Sequence, residues 1–156
     1  MKKIKTIEAV NAYVTLKSLK TSSMSDETMM AVWKNMKALR PISETYEKDK
    51  EEVKSSFHDD EYEKMTSKAQ GLGDKQERER KNEYTFTEQD FEEIKEVNKY
   101  FDGINAKTQK YFSDLDNKEV EVEIVEIAEM EIVKSIKSTD LSLSELEKLE
   151  CVCKTD

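Results

Sequence analysis

The chain has 156 residues and a formal net charge of −9, and its charged residues (39%) outnumber its hydrophobic ones (36%). A chain of this length suits one domain, and so charged a composition excludes a large hydrophobic core. No run approaches the about 18 apolar residues of a membrane-spanning helix. Three Gly and one Pro are too few for a turn-rich β-sandwich. We therefore predict a single domain over residues 1–156 that does not associate with a membrane.

The start of the chain predicts a short strand followed by a helix. Residues 2–5 are consistent with a very short strand or a frayed start. Thr6 is a suitable cap for a first helix, in which Ile7 and Val10 begin an apolar repeat at helical spacing. The polar residues 21–23 are unsuited to a helix interior, so we expect the helix to end there.

A second helix is predicted from Ser25, whose hydroxyl can cap the first turn, to about residue 57. Its apolar residues fall three or four apart and form one stripe: Met29, Val32, Trp33, Met36, Leu39, Tyr46, Val53 and Phe57. Because Pro41 lacks a backbone donor and clashes with the preceding turn, we expect a kink or break just before it. Residues 44–63 are highly charged and predict an exposed or marginally ordered helical arm.

The Gly-Leu-Gly-Asp sequence at residues 71–74 is the clearest turn signal in the chain. The next seven residues, 75–81, include no apolar side chain. We therefore predict that residues 70–83 form an exposed charged connection between two helical regions.

The strongest helix signal begins at Thr87, with Asp90 three residues later in a variant of the capping box. The apolar residues after it recur at spacings of three, four and seven: Phe91, Ile94, Val97, Phe101, Ile104, Tyr111, Phe112 and Leu115. Asn98, Asn105 and Thr108 lie on the same seam, where polar residues fix the register of a coiled coil. Because this stripe and the earlier one are comparable in length, we predict a long antiparallel helical hairpin.

Beyond residue 118 the hydrophobic period changes from that of a helix to that of a strand. Residues 119–124 alternate acidic and aliphatic side chains, which indicates a half-buried strand, and residues 2–5 are a candidate partner for it. Residues 131–133 are consistent with a second strand or with an irregular segment. A capping box at residues 142–145 predicts a short Leu-rich helix. The predicted fold class is α+β, mostly α, in which a long hairpin carries a small β element and a short C-terminal helix.

Two groups of residues are candidate partner-binding sites. The first is a methionine-rich patch in the second helix: Met29, Met30, Trp33 and Met36. Such residues usually belong to a core, and they form an adaptable binding surface if they are exposed. The second is the acidic face of the predicted strand: Glu119, Glu121 and Glu123.

Charge is distributed unevenly along the chain. Residues 1–40 carry eight Lys or Arg and three acids, whereas residues 116–156 carry five Lys or Arg and twelve acids. The acidic end is consistent with a solvated surface, with docking of a basic partner, or with imitation of nucleic acid. Direct binding to DNA or RNA is disfavoured, because phosphates repel an acidic surface.

The sequence carries only weak signals for metal, cofactor or catalytic sites. His58 is the only histidine, and its neighbours Asp59 and Asp60 cannot face it from adjacent helix positions. Cys151 and Cys153 are too close for an ordinary disulfide and lack zinc-site spacing, which predicts thiols near a frayed end or a bridge between two copies. We therefore predict no catalytic residue, no cofactor, no metal and no enzymatic activity. The charged first residues lack the apolar core of a secretory signal, which predicts a cytoplasmic location.

The order of these segments resembles that of small uncharacterised proteins from tailed phages and prophages. The segments that carry the resemblance are Asn11-Ala12, Leu39-Arg40-Pro41, residues 115–124 and residues 140–149. The resemblance covers the two ends of the chain and not its charged middle, and it supplies no catalytic motif. It implies a viral origin and an accessory or assembly role.

These observations together predict a non-enzymatic phage or prophage protein that acts through protein–protein interaction in the host cytoplasm. A long hairpin offers contact area without a deep cavity. A thin apolar stripe gains from burial against a second copy, so a homodimer is among the expected partners. The alternative is an acidic inhibitor of a host defence system that imitates nucleic acid.

Overall fold

The computed structural model describes residues 1–137 and 140–155, and 73% of these residues are helical. The elements follow in this order: β1 (Lys2–Lys5), α1 (Thr6–Ser18), α2 (Asp26–Ser56), α3 (Asp60–Arg80), α4 (Glu88–Asn117), β2 (Glu119–Val122), α5 (Glu129–Lys137), α6 (Leu143–Glu147) and a 3₁₀ turn (Glu150–Val152). Within the described ranges no helix has the length and hydropathy needed to cross a membrane.

The chain divides into two compact units. The terminal unit combines residues 1–49 with the described part of residues 113–156, and the inserted unit is residues 50–112. Helices α2 and α4 each contribute residues to both units. The single-domain prediction stays a prediction.

Strands β1 and β2 pair in antiparallel register, with Ile4 opposite Val120 and Lys2 opposite Val122. This confirms that residues 2–5 are the partner of the acidic strand. The cap of α1 lies one residue earlier than predicted, because Thr6 is buried and both its N–H and its hydroxyl donate to the Lys118 carbonyl at 2.8 Å. Thr6 thus joins the first helix to the sheet.

The core of the terminal unit draws on nearly every element of that unit. Its buried members come from α1, α2, α5, both strands, the connections between these elements and residues 149–153: Ile4, Ala9, Ala12, Leu16, Leu19, Met24, Ala31, Val32, Leu39, Val122, Ile127, Ile132, Leu149, Val152 and Cys153.

The prediction of a frayed end around the two cysteines is wrong. The N–H of Ile127 donates to the Val152 carbonyl and the N–H of Lys154 donates to the Ile127 carbonyl, both at 2.9 Å. Leu149 and Val152 are fully buried. Two backbone hydrogen bonds and the burial of aliphatic side chains therefore hold this segment in the core.

Helix α2 continues through Pro41, so of the kink or break predicted before that residue the break is wrong, and the kink stays a prediction. Pro41 is exposed, and the buried residues Leu39 and Tyr46 lie on either side of it. The proline costs one backbone hydrogen bond, to the carbonyl of the exposed residue Lys37. Packing of the flanking turns holds the helix together despite that loss.

The predicted turn at residues 71–74 is also wrong, because these residues lie inside α3. Leu72 is buried there, and its burial favours helix over the turn preference of the neighbouring glycines. The chain reverses instead around Asn82, whose φ of 59° is the left-handed conformation that asparagine tolerates. The other break, between α2 and α3, is marked by Asp59, whose side chain accepts from the Tyr62 N–H at 2.8 Å.

Side chains meet across the helices of the inserted unit in antiparallel order. The pairs are Lys50 with Phe112, Tyr62 with Phe101, Lys68 with Glu96, and Lys75 with Asp90. The buried core of this unit is small and consists of Met65, Leu72 and Val97. Phe101, on the predicted seam, is only half-buried.

Residues 131–133 belong to helix α5 and not to a strand. Glu129 and Glu131 lie in its first turn, where the helix dipole favours acids, and Ile132 and Ser135 point into the core. Helix α6 confirms the predicted short C-terminal helix, although the Ser142 side chain does not accept from its first turn. A mostly helical fold with a small antiparallel sheet is therefore confirmed.

Candidate interaction site

The methionine-rich patch of α2 lies on the surface. Trp33 is 51% exposed, Met30 53% and Met29 39%, and Met36 is half-buried. We call these four residues the Trp33 face. Met29, Met30 and Trp33 are exposed and not in a core, whereas Met36 packs partly against the core of the terminal unit, so the hypothesis of a binding surface rests on the first three.

The opposite side of α2 explains why these side chains stay outside. Ala31, Val32 and Leu39 are buried in the core of the terminal unit. Asn35 is fully buried, and its amide donates to the Val125 carbonyl at 2.8 Å and accepts from the Val125 N–H at 2.7 Å. One face of the helix is thus anchored in the core, and the Trp33 face is left exposed to solvent.

The N-terminus of α2 is also fixed. The Thr28 N–H donates to the Ser25 hydroxyl at 3.2 Å, which confirms Ser25 as the cap. The Ser25 N–H donates to Glu131, which also accepts from Lys134 at 3.1 Å. The hydrogen bonds from Lys134 and Ser25 lower the pKa of Glu131, so this tie is made by a carboxylate.

An open groove of about 490 Å³ runs along the Trp33 face. Its remaining lining residues are Thr21, Asp26 and Val32. The Lys37 ammonium lies 5.9 Å from the centre of the Trp33 ring, within cation–π range. The groove therefore combines an apolar floor with charged groups at its margin.

Glu119 and Glu121 lie in β2 and Glu123 directly follows it; all three are exposed, while the intervening Val122 is buried. The strand register sets Lys5 opposite Glu119 and Lys3 opposite Glu121. Residues directly opposite in an antiparallel pair share a face, so two lysines accompany the three glutamates. The sequence alone did not reveal this compensation, because it depends on which strand pairs with β2.

The two predicted sites lie on different elements, the Trp33 face on α2 and the acidic face on β2. A second cleft, of about 470 Å³, borders Met30 and is lined by residues 125–128 and not by the three glutamates. Its charged side chains are all exposed: Glu27, Lys34, Glu126 and Lys154.

His58 stacks on Tyr62 with ring centres 4.5 Å apart, and Asp59 is occupied as the cap of α3. In the part of the chain that the structure describes, no three His, Cys, Asp or Glu side chains are grouped so that they could hold a metal ion.

The two cysteines are held in the thiol form. Burial raises the pKa of Cys153 to about 11, and burial together with nearby Glu8 raises the pKa of Cys151. Both thiols are therefore protonated at neutral pH, which makes them poor nucleophiles.

The ionisable side chain with the strongest set of partners is Asp90, which is 2% exposed. Its carboxylate accepts from the Lys75 ammonium at 2.6 Å, from the Thr87 N–H at 2.9 Å and from the Tyr84 hydroxyl. These hydrogen bonds, that from Lys75 above all, hold the pKa of Asp90 well below its usual range. The capping box of Thr87 and Asp90 is thus confirmed, and its ion pair with α3 was not visible in the sequence.

A second buried polar contact joins α2 to α4 within the terminal unit. The Tyr46 hydroxyl donates to Asp116 at 2.6 Å. Burial and this hydrogen bond raise the pKa of Tyr46 to about 12. Like the hydrogen bond between Lys75 of α3 and Asp90 of α4, this contact joins two helices.

The comparisons with known proteins identify no relative: no family model, curated protein or solved structure matches the chain.

Proposed function

We propose that the chain is a non-enzymatic accessory or assembly protein of a phage or prophage that acts by protein–protein interaction in the host cytoplasm. The observation that carries the proposal is the exposure of the Trp33 face. Tryptophan and methionine contribute strongly to binding when a partner covers them. The viral origin rests on the resemblance of the two ends of the chain to small phage proteins.

The inserted unit supplies the second part of the proposal. We infer that it forms the antiparallel hairpin predicted from the sequence, with α4 as one arm and the end of α2 followed by α3 as the other. The antiparallel order of contacts from Lys50–Phe112 to Lys75–Asp90 supports this arrangement. Such an arm extends contact area without forming a deep cavity.

A role without catalysis is supported by what the ionisable groups do. Asp90 and Tyr46, the most strongly perturbed of the hydrogen-bonded groups, join helices by their hydrogen bonds. The two thiols are held in the protonated form by burial. Catalytic acids, bases and nucleophiles need the opposite arrangement, a reactive form directed into a cleft.

The acidic inhibitor that imitates nucleic acid stays the second hypothesis. The strand register weighs against it, because Lys3 and Lys5 share the face of Glu119 and Glu121. A surface that imitates a phosphate backbone needs an uncompensated row of negative charges. The two hypotheses differ in salt dependence, since charge imitation weakens steeply with added salt and apolar docking does not.

The test is affinity capture from infected or lysogenic cells with three forms of the tagged chain. Trp33→Ala removes the centre of the proposed surface. Val14→Ala is the control, because Val14 is an apolar residue on α1, outside both proposed contact surfaces, with a similar exposure, 55%. We expect quantitative mass spectrometry to show that captured partners are lost with Trp33→Ala and kept with Val14→Ala.

Equal capture by the wild type and by Trp33→Ala would refute the assignment of the Trp33 face. If partners are captured at low salt and lost at high salt, and the Trp33→Ala substitution has no effect, the acidic inhibitor is favoured instead.

A further inference from the structure

The charged residues next to the Trp33 face follow a regular pattern. Asp26, Trp33 and Arg40 are spaced seven residues apart, so they lie on one line along α2. Met29 and Met36, also seven apart, form the neighbouring line. The face therefore has an apolar centre, an acid at its N-terminal end and a base at its C-terminal end.

This pattern of charges is self-complementary when a second copy of α2 runs antiparallel to the first. Asp26 and Arg40 each lie about 10.5 Å from Trp33 along the helix axis, at 1.5 Å per residue. If a second α2 packs antiparallel with its Trp33 against the first, each Asp26 faces the Arg40 of the other copy. The same operation sets Met30 of each copy at the same height along the helix axis as Met36 of the other copy, at the two edges of the contact.

We propose that the Trp33 face is a two-fold symmetric interface between two copies of this chain, with the axis passing beside Trp33. The inference rests on the proposed function and names the partner of the same surface. An isologous interface uses one patch twice, so its two halves must complement each other. The Asp26–Trp33–Arg40 line has that property.

The charges next to the Trp33 face favour a second copy of the chain as the partner and an antiparallel orientation of its α2. In the described part of the chain neither Asp26 nor Arg40 has an ion-pair partner, and both are exposed. A parallel second copy would set acid against acid and base against base, which is unfavourable. The antiparallel copy instead supplies the opposite charge at both ends, while the methionines and Trp33 are covered.

The test is sedimentation of the purified full chain over a wide concentration range, with Trp33 fluorescence as a second measurement. Trp33 is the only tryptophan, so its emission reports on this surface alone. We expect a concentration-dependent dimer and a blue shift of the emission as the dimer forms. Trp33→Ala, read by sedimentation, should weaken the dimer about a hundredfold, as expected for a central aromatic residue.

Charge reversal tests the orientation. Asp26→Arg creates two like-charge contacts per dimer and should weaken dimerisation about tenfold. Arg40→Asp should do the same, and the double variant should restore wild-type dimerisation. Glu27→Arg is the matched control, because it makes the same change in charge one residue away, on a different side of α2, and it should have little effect.

Each remaining outcome overturns a defined statement. A dimer that both single reversals weaken and the double variant does not restore refutes the antiparallel arrangement. A monomer at every concentration refutes the second copy as partner, and if another protein is still captured through Trp33, the proposed function stands without it. If the chain is a monomer at every concentration and Trp33→Ala captures the same partners as the wild type, both proposals are refuted.

Discussion

The terminal unit and the inserted unit are stabilised in different ways. In the terminal unit, residues from the sheet, from helices α1, α2 and α5 and from the last described segment share one buried core. In the inserted unit the core cluster has three buried residues, Met65, Leu72 and Val97, with half-buried aromatic residues around them, and Val53 is buried outside that cluster. Polar contacts also hold the segments of this unit together, above all the hydrogen bonds that Asp90 accepts.

The difference shows how a chain so rich in charge can fold. Its limited apolar content is concentrated where segments distant in sequence must be held together. The inserted unit is one contiguous segment, so its contacts close shorter loops than those that join the two ends of the chain, and it needs less apolar burial to offset the loss of chain entropy. The predictions below test this division, from the largest expected effect to the smallest.

Leu149→Ala should lower the free energy of unfolding of the terminal unit by about 2–5 kcal/mol, because a fully buried leucine is replaced by a cavity. Chemical denaturation and hydrogen exchange measure the change. Leu143→Ala, at a leucine that is 75% exposed, is the control and should change stability by less than about 0.5 kcal/mol. Equal effects at both sites would contradict the buried position of the last segment.

Phe101→Ala should cost about 1–2 kcal/mol, because this side chain is only half-buried beside Tyr62. The loss should be seen in hydrogen exchange of the inserted unit. A loss of about 3–5 kcal/mol, typical of a fully buried phenylalanine, would show that the inserted unit has a denser core than described.

Asp90→Asn should destabilise the inserted unit in a pH-dependent way. Since the pKa of Asp90 is lowered on folding from its ordinary value of 3.8, its carboxylate stabilises the fold above that pH, and the contribution is lost as the pH falls below it. The difference in Tm between wild type and variant, followed by circular dichroism, should be constant near neutral pH and shrink below about pH 4. If the difference in Tm stays constant into the acid range, the charge of the Asp90 carboxylate does not contribute to stability.

Gly73→Ala should raise stability by about 0.5–1 kcal/mol, because Gly73 lies inside α3 and an added Cβ meets no atom within 4 Å. Gly103→Ala, in the equally open interior of α4, is the matched substitution and should give a similar gain. If residues 71–74 formed a turn, only Gly103→Ala would stabilise the protein.

Local signals in the sequence predicted a good part of the fold. The alternation of residues 119–124 predicted a strand, and residues 2–5 proved to be its partner. Ser25 and the Thr87–Asp90 pair were correct caps, because capping depends on a few adjacent residues. The candidate residues of α2 were placed on a helix, and their exposure makes the interaction hypothesis testable.

The errors have a common physical origin in tertiary packing. Pro41 and the glycines at 71 and 73 are breakers by propensity, yet buried Leu39 and Leu72 keep their helices intact. The turn at residues 57–59 contains neither glycine nor proline, so only the capping aspartate marked it. The charge compensation at β2 depends on strand register, which no local pattern contains.

The pairing of β1 with β2 has a consequence for synthesis on the ribosome. Strand β1 is synthesised before its partner, which is complete only at residue 122, roughly 6–25 s later at ordinary rates of translation. The inserted unit is contiguous and can fold during that interval, whereas the core that includes Leu149 and Val152 must close last. Meanwhile Lys2, Lys3 and Lys5 give the waiting strand three positive charges, which protect it from pairing with the wrong nascent chain.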